Sequence, residues 1–315
     1  MPPYIMEIGA RQTPYFRNEF FSNTLLECEK LLLDLAFAPV GSRVVFLTAS
    51  GTGAMEAAVM NLLSPNDKAV VINGGGFGQR FVDICKCYDV PTHEHKIDGE
   101  NLADTAPLDA YAGSTALLVN AHETTKGILY DMDAIGHYCR KNKLLHIVDA
   151  ISMFVTDDIN MTDQHIDALI ISSHKGLALP PGLSMVLLSP RAIDRVSPTI
   201  SLYFNFRNYL EDGLRGQTPF TPAVTILLQL HARLKQIERD TLKHEIDKAN
   251  HIADYFRKHV SAWPLGLYSR FMPNAMTALT PTNGESALDI VKYLEGRNII
   301  VAPNGGALKD AVFRV

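Results

Sequence analysis

The stretch "DALIISSHKGLALPPGLS", Asp167–Ser184, sets the reading of the whole chain. A short apolar run ends in two serines, a histidine and a lysine. A glycine, an apolar turn, two prolines and another glycine follow. An apolar run of this length bounded by turn formers is a buried strand. Lysine ordinarily sits on a solvated face, yet this one is delivered from the strand into a tight loop of small residues. The same pattern recurs in "RVVFLTA", "KAVVING", "TALLVNAH", "LLHIVDA" and "SMVLLS". Between these runs lie amphipathic segments, "GAMEAAVMNLL", "FGQRFVDICKCY" and "MDAIGHYCRKN". Near-continuous apolar strands alternating with helices predict an α/β fold whose mostly parallel central sheet is covered on both faces. Ligands of such sheets collect where the carboxyl ends of the strands lead into helices. The loops to search are therefore 50–53, 73–80, 122–127, 149–152 and 172–176.

The strand–helix alternation gives way near Ala223 to a charged helical stretch running to Val260. The remainder, "AMTALTPTNGESALDIVKYLEGRNIIVAPNG", reads as strand, helix and strand. The expected division is a large domain over 1–225 and a smaller C-terminal α+β domain over 226–315. With 315 residues the chain is long enough for such an arrangement. A net charge of −5 gives no general attraction to nucleic acid or an anionic membrane. No apolar run has the length of a membrane span. Four cysteines in a chain this long form no disulfide framework, which predicts a reducing, cytoplasmic setting. Cys85, Cys87, His93 and His95 do not have zinc-site spacing. They read as helix-buried thiols and strand-surface histidines, so no metal site is expected.

"TASGTGAMEA" places Ser50, Gly51 and Thr52 between a strand and a helix, where backbone N–H groups and the helix dipole favour an anion. A small-residue turn without a ligand reads equally well. "NGGGFGQRF" places Phe77 in a glycine-rich turn, either covering the core edge or stacking on a planar ring. The glycine spacing there, followed by Asp98, only loosely imitates a dinucleotide fingerprint. Asp149 ends an apolar strand, where a carboxylate is costly without a partner. It is either an N-cap or buried ion pair, or a carboxylate held against a cationic ring nitrogen. Lys175 ends the next strand; a lysine amine that is desolvated or near another cation becomes a usable nucleophile. Taken together, these are the parts needed to hold pyridoxal phosphate.

"ASGTGAMEA", "NGGGFGQR", "HETTKGIL", "VDAIS" and "SSHKGLALPPGLS", in that order, resemble the class V aminotransferases of pyridoxal-phosphate fold type I. The pattern is similar to alanine–glyoxylate, serine–pyruvate and 2-aminoethylphosphonate–pyruvate transaminases, from about Ile8 to Val315. The resemblance implies that Lys175 links to the cofactor aldehyde and that Asp149 pairs with the ring nitrogen. It implies ring stacking by Phe77, a phosphate loop of Ser50, Gly51 and Thr52, and Ile151 on the ring's other face. Thr124 matches a hydroxyl residue near the phenolic oxygen, and His174 a polar neighbour of the phosphate. "TPFTPAV" resembles a segment reaching the other subunit's phosphate, which makes Thr218 and Thr221 candidates in trans and implies a homodimer with shared sites. "VFRV" matches the strand whose arginine, here Arg314, receives the substrate carboxylate through its planar fork.

The implied activity moves an amino group from a small amino acid or aminophosphonate to an oxo acid such as pyruvate or glyoxylate. Relatives begin with an N-terminal loop that this chain lacks and continue past the position of Arg314, so a partial chain is expected. Two other readings stand beside it: a lyase or desulfurase of the same fold, and a nicotinamide-dependent oxidoreductase using "GGGFG". A desulfurase needs a mobile cysteine late in the chain, and none follows Cys139.

Overall fold

The computed structural model describes residues 1–198 and 201–315. Seven strands form the main sheet: β1 (Arg43–Leu47), β2 (Ala69–Asn73), β3 (Thr92–Lys96), β4 (Ala116–Asn120), β7 (Leu145–Asp149), β8 (Ala168–Ser172) and β9 (Ser184–Leu188). Two short strands, β5 (His122–Glu123) and β6 (Ile128–Leu129), pair as a separate hairpin. The spatial order is β1-β9-β8-β7-β4-β2-β3. β9 pairs antiparallel with both β1 and β8, and every other pairing is parallel. All the strands read from the sequence are present.

The sheet is buried on both faces, and strand alternation divides its side chains between two cores. Val44, Phe46, Ile72, Val119, Val148 and Ile171 enter one. Val45, Leu47, Val71, Leu118, Ile147 and Ile170 enter the other. The second core is covered by α3 (Gly51–Leu62) and α4 (Gly76–Cys87), and the first by α2 (Glu19–Leu35). Asp149 follows the register of Leu145 and Ile147, so it belongs to the face carrying α3 and α4.

β2 and β3 run outward to one side, and β4, β7 and β8 then run to the other. The chain therefore reverses direction in the sheet between β2 and β4, where open α/β sheets bind ligands. β1 lies at the opposite edge, but α3 crosses over β8 and β9 and brings its N-terminus back to the centre. Ser184 ties the ends of these strands together. Its Oγ lies 3.0 Å from Ser172 Oγ and donates to the Ala49 carbonyl at 3.1 Å.

α8 (Val224–Asp240) and α9 (Leu242–Val260) follow as the sequence predicts. However, Leu227, Leu230, Leu234 and Ile237 of α8 pack into the first core, which therefore reaches past the expected 225/226 division. A separate small core gathers Val260, Leu279, Ala287, Val291 and Phe313. It is built by α10 (Ala287–Glu295) on an antiparallel sheet, ordered β10 (Leu265–Leu267), β11 (Ala278–Pro281), β13 (Phe313–Arg314) and β12 (Ala302–Pro303). This unit is anchored to the large sheet by Asn274, which donates through its backbone to Asp157 at 2.9 Å. Asn304 Nδ2 donates to the Thr125 carbonyl, also at 2.9 Å.

The two cysteines of α4 differ from the expectation of helix-buried thiols: Cys85 is buried, but Cys87 is exposed. Residues two apart on a helix face different directions, and only Cys85 lies on the stripe toward the sheet. Among the described residues, no helix is long and apolar enough to cross a membrane.

Candidate active site

At the carboxyl ends of the strands two adjoining cavities, of about 260 and 450 Å3, share Phe77, His122, Thr124, Ser152 and Lys175. The inner one is also lined by Ser50, Gly51, Thr52, Asp149, Ile151 and His174. The outer one is closed by Arg314 and Met276. A larger cleft of about 770 Å3, near Glu100 and Arg270, contains none of the expected residues, so chemistry rather than size identifies the site.

Ser50 caps α3, its hydroxyl accepting from the Gly53 backbone N–H at 3.3 Å. Gly51 has a steric reason to be glycine: a Cβ there would lie 2.3 Å from Ile151 Cδ1. Thr52 Oγ1 accepts from Arg80 Nη1 at 3.1 Å, and the Arg80 guanidinium lies 4.6 Å from the centre of the Phe77 ring. The Phe77 backbone is fixed by the buried Glu123, whose carboxylate accepts from Phe77 N–H at 3.3 Å and Gly78 N–H at 3.2 Å. Glu123 also accepts from Asn120 Nδ2 and from both the N–H and Oγ1 of Thr125. One carboxylate thus locks the turns after β2 and β4 to each other.

Asp149 is buried and accepts one backbone hydrogen bond, from Ile151 N–H at 2.9 Å. Burial raises its carboxyl to about 6, only partly opposed by that hydrogen bond and by the charges of Arg80 and Lys175. It is neither an N-cap nor half of a close buried ion pair.

Lys175 lines both cavities, as the sequence reading requires, but in this chain its side chain is exposed rather than desolvated. It sits between His174 and Gly176 on the loop that follows β8. His174 is exposed too, with Nδ1 3.0 Å from Ser172 Oγ. Burial, followed by the nearby Lys175 charge, lowers its pKa.

Arg314 donates from Nη1 to the Thr124 carbonyl at 3.2 Å and from Nη2 to the Pro303 carbonyl at 2.7 Å. Its buried Nε has no partner, and burial pulls its pKa down despite the Glu123 charge. A guanidinium held by carbonyls alone retains its full positive charge for an incoming carboxylate. Thr218 and Thr221 do not line either of these two cavities. Thr218 is buried, donating to the Phe220 carbonyl at 2.7 Å, and Thr221 is exposed.

The sequence reading did not single out Arg80, His122 and Ser152, which also line the inner cavity. Arg80 carried a legible signal, one turn after Phe77 on the same helix. His122 lay in a loop marked for searching, but nothing in its neighbours showed that its ring is buried.

The described residues fit pyridoxal phosphate by their chemistry. They offer a helix N-terminus with hydroxyls, a buried carboxylate, an amine lining the cavities and a glycine at position 51, where a Cβ would displace the Ile151 side chain.

A family model for aminotransferase class-V matches residues 12–307. The chain is 30% identical over 287 residues to a protein named soluble hydrogenase, small subunit, from Synechococcus sp., covering 87% of this chain and 74% of that one. It is 28% identical to the L-aspartate–glyoxylate aminotransferase of Paracoccus denitrificans, covering 87% and 73% respectively. The structure of a subgroup IV aspartate aminotransferase from Thermus thermophilus superposes with a TM-score of 0.93 at 26% identity, covering 100% of this chain and 89% of that one.

Proposed function

The chain belongs to the aminotransferase class-V family, and on that premise we propose that it transfers the amino group of a small amino acid to glyoxylate or pyruvate. The observation that carries this reading is the convergence of Asp149, Lys175 and Arg314 on two joined cavities. The enzyme is a pyridoxal-phosphate-dependent aminotransferase, which sets aside the nicotinamide and desulfurase alternatives.

When bound, the cofactor supplies an aldehyde that takes up amines and a ring that accepts negative charge. Lys175 Nζ would hold that aldehyde. As a free amine, Lys175 would take the proton from the donor's α-carbon. The Asp149 carboxylate receives the ring N–H and keeps it protonated, since an adjacent anion favours the cationic form. Arg314 receives the donor carboxylate and turns the α-hydrogen toward Lys175. Ser50, Gly51 and Thr52 with the α3 N-terminus hold the phosphate, and His174 lies beside it. Phe77 and Ile151, which line the inner cavity, would enclose the ring, and Thr124 would serve its phenolic oxygen.

Thr218 and Thr221 serve the second subunit's phosphate in a homodimer. Exposed Leu202 and Leu214 near this segment support a subunit contact there. The cytoplasm remains the proposed location. The working division is a large cofactor-binding domain followed by a small one.

A panel of amino donors against glyoxylate and pyruvate tests the activity. Lys175→Ala is expected to abolish both turnover and the adduct trapped by borohydride. Survival of either sinks the lysine assignment.

A further inference from the structure

His122 is 2% exposed, and neither of its ring nitrogens has a hydrogen-bond partner. It lines both cavities, between the elements that carry Lys175 and Arg314. Its backbone is fixed, because β5 pairs with β6 through His122 and Leu129, and the adjacent Glu123 is fully bonded. Packing alone gives no reason for a histidine here rather than an aliphatic residue. A buried polar atom left unpaired costs roughly 1–3 kcal/mol, and an aliphatic side chain at this position would avoid that cost altogether.

We propose that His122 reads the side chain of the amino donor and selects a small donor bearing a hydroxyl over one bearing only hydrocarbon. This rests on the aminotransferase reading above. Burial keeps the imidazole neutral; a Ser152 backbone group beside one ring nitrogen is the main opposing influence, and the charges of Lys175 and Arg314 reinforce burial. A neutral imidazole offers one N–H donor and one bare acceptor nitrogen. A hydroxyl pairs with the ring nitrogen that does not face Ser152, donating or accepting as the tautomer requires. A methyl group leaves both unpaired. A side-chain carboxylate can only accept, so it leaves the bare acceptor nitrogen unpaired. Sites built to hydrogen-bond a substrate hydroxyl reject the analogue lacking it, because their own polar groups are then stranded.

The test compares kcat/KM for serine, alanine and aspartate with one oxo acid, using the wild type, His122→Leu and His122→Gln, all loaded with pyridoxal phosphate. The wild type should prefer serine to alanine by roughly tenfold or more. His122→Leu should lose most of that preference, chiefly through a higher KM for serine, and His122→Gln should keep part of it. The absorbance of bound cofactor should be the same in all three proteins. In the wild type, the imidazole 15N signals of His122 should shift with serine and not with alanine.

An unchanged serine-to-alanine ratio in His122→Leu overturns the proposal. So does a wild-type preference for aspartate that this variant loses, or a loss of cofactor absorbance, which would make the histidine a cofactor contact. If the wild type turns over no amino donor at all, the aminotransferase reading fails with it. If donors are turned over and only the ratio test fails, the assignment of His122 alone is wrong.

Discussion

Asp149 carries a cost in the cofactor-free protein that can be measured. Its carboxyl is raised from the ordinary 3.8 to about 6 by burial. The folded state therefore binds this proton more tightly than the unfolded chain does. The penalty is absent below pH 4, grows as pH rises through that window and is complete above about pH 6. Asp149→Asn should stabilise the cofactor-free protein at pH 8 by about 2–3 kcal/mol, and by almost nothing at pH 4. Urea denaturation at the two pH values measures both, and an equal gain at each would mean that the charge is not the cause. The sequence revealed this residue because a carboxylate closing an apolar strand is conspicuous. It did not reveal His122, because burial of a loop histidine depends on what folds over it.

At the scale of elements, α8 acts as a strut between the large core and the loop of Lys175. Arg233 is buried; it donates to Glu245 of α9 at 2.7 Å and to the Leu177 carbonyl at 3.2 Å. The Arg233 hydrogen bonds, ahead of opposing burial, hold the Glu245 carboxyl below its usual range. Removing one member leaves the other charge uncompensated in a site with little water. Arg233→Ala should cost about 3–5 kcal/mol of stability, measured by chemical denaturation. Loss of less than about 1 kcal/mol, as for an exposed pair, would show that water already screens it. The charged helical pattern after Ala223 was legible, but its pairing was not. Arg233 and Glu245 are simply two polar positions in a sequence rich in them, and only the angle between α8 and α9 brings them together.

At the scale of the molecule, Thr218 and Thr221 line neither of the two joined cavities, and their proposed role is at the site of a second copy. If each site combines Lys175 of one subunit with these threonines of the other, inactive variants should complement. Unfolding and refolding an equal mixture of Lys175→Ala and Thr218→Val/Thr221→Val chains, assayed at limiting cofactor, should restore roughly a quarter of wild-type activity. Half the dimers are then mixed, each with one intact site. Activity no higher than that of the separate variants would place both groups on the same chain.

Local order along the sequence determined the sheet, its strands and the loops at their ends, since period-two burial and turn formers act between near neighbours. It also determined Lys175 and Asp149, each punctuating an apolar run. The tertiary structure alone decided that α3 reaches back across the sheet to set Gly51 against Ile151, that Arg314 closes the outer cavity, and that the His122 ring lies buried without partners. Those relations join positions far apart in the chain. They arise from packing and desolvation, which no local stretch of residues encodes.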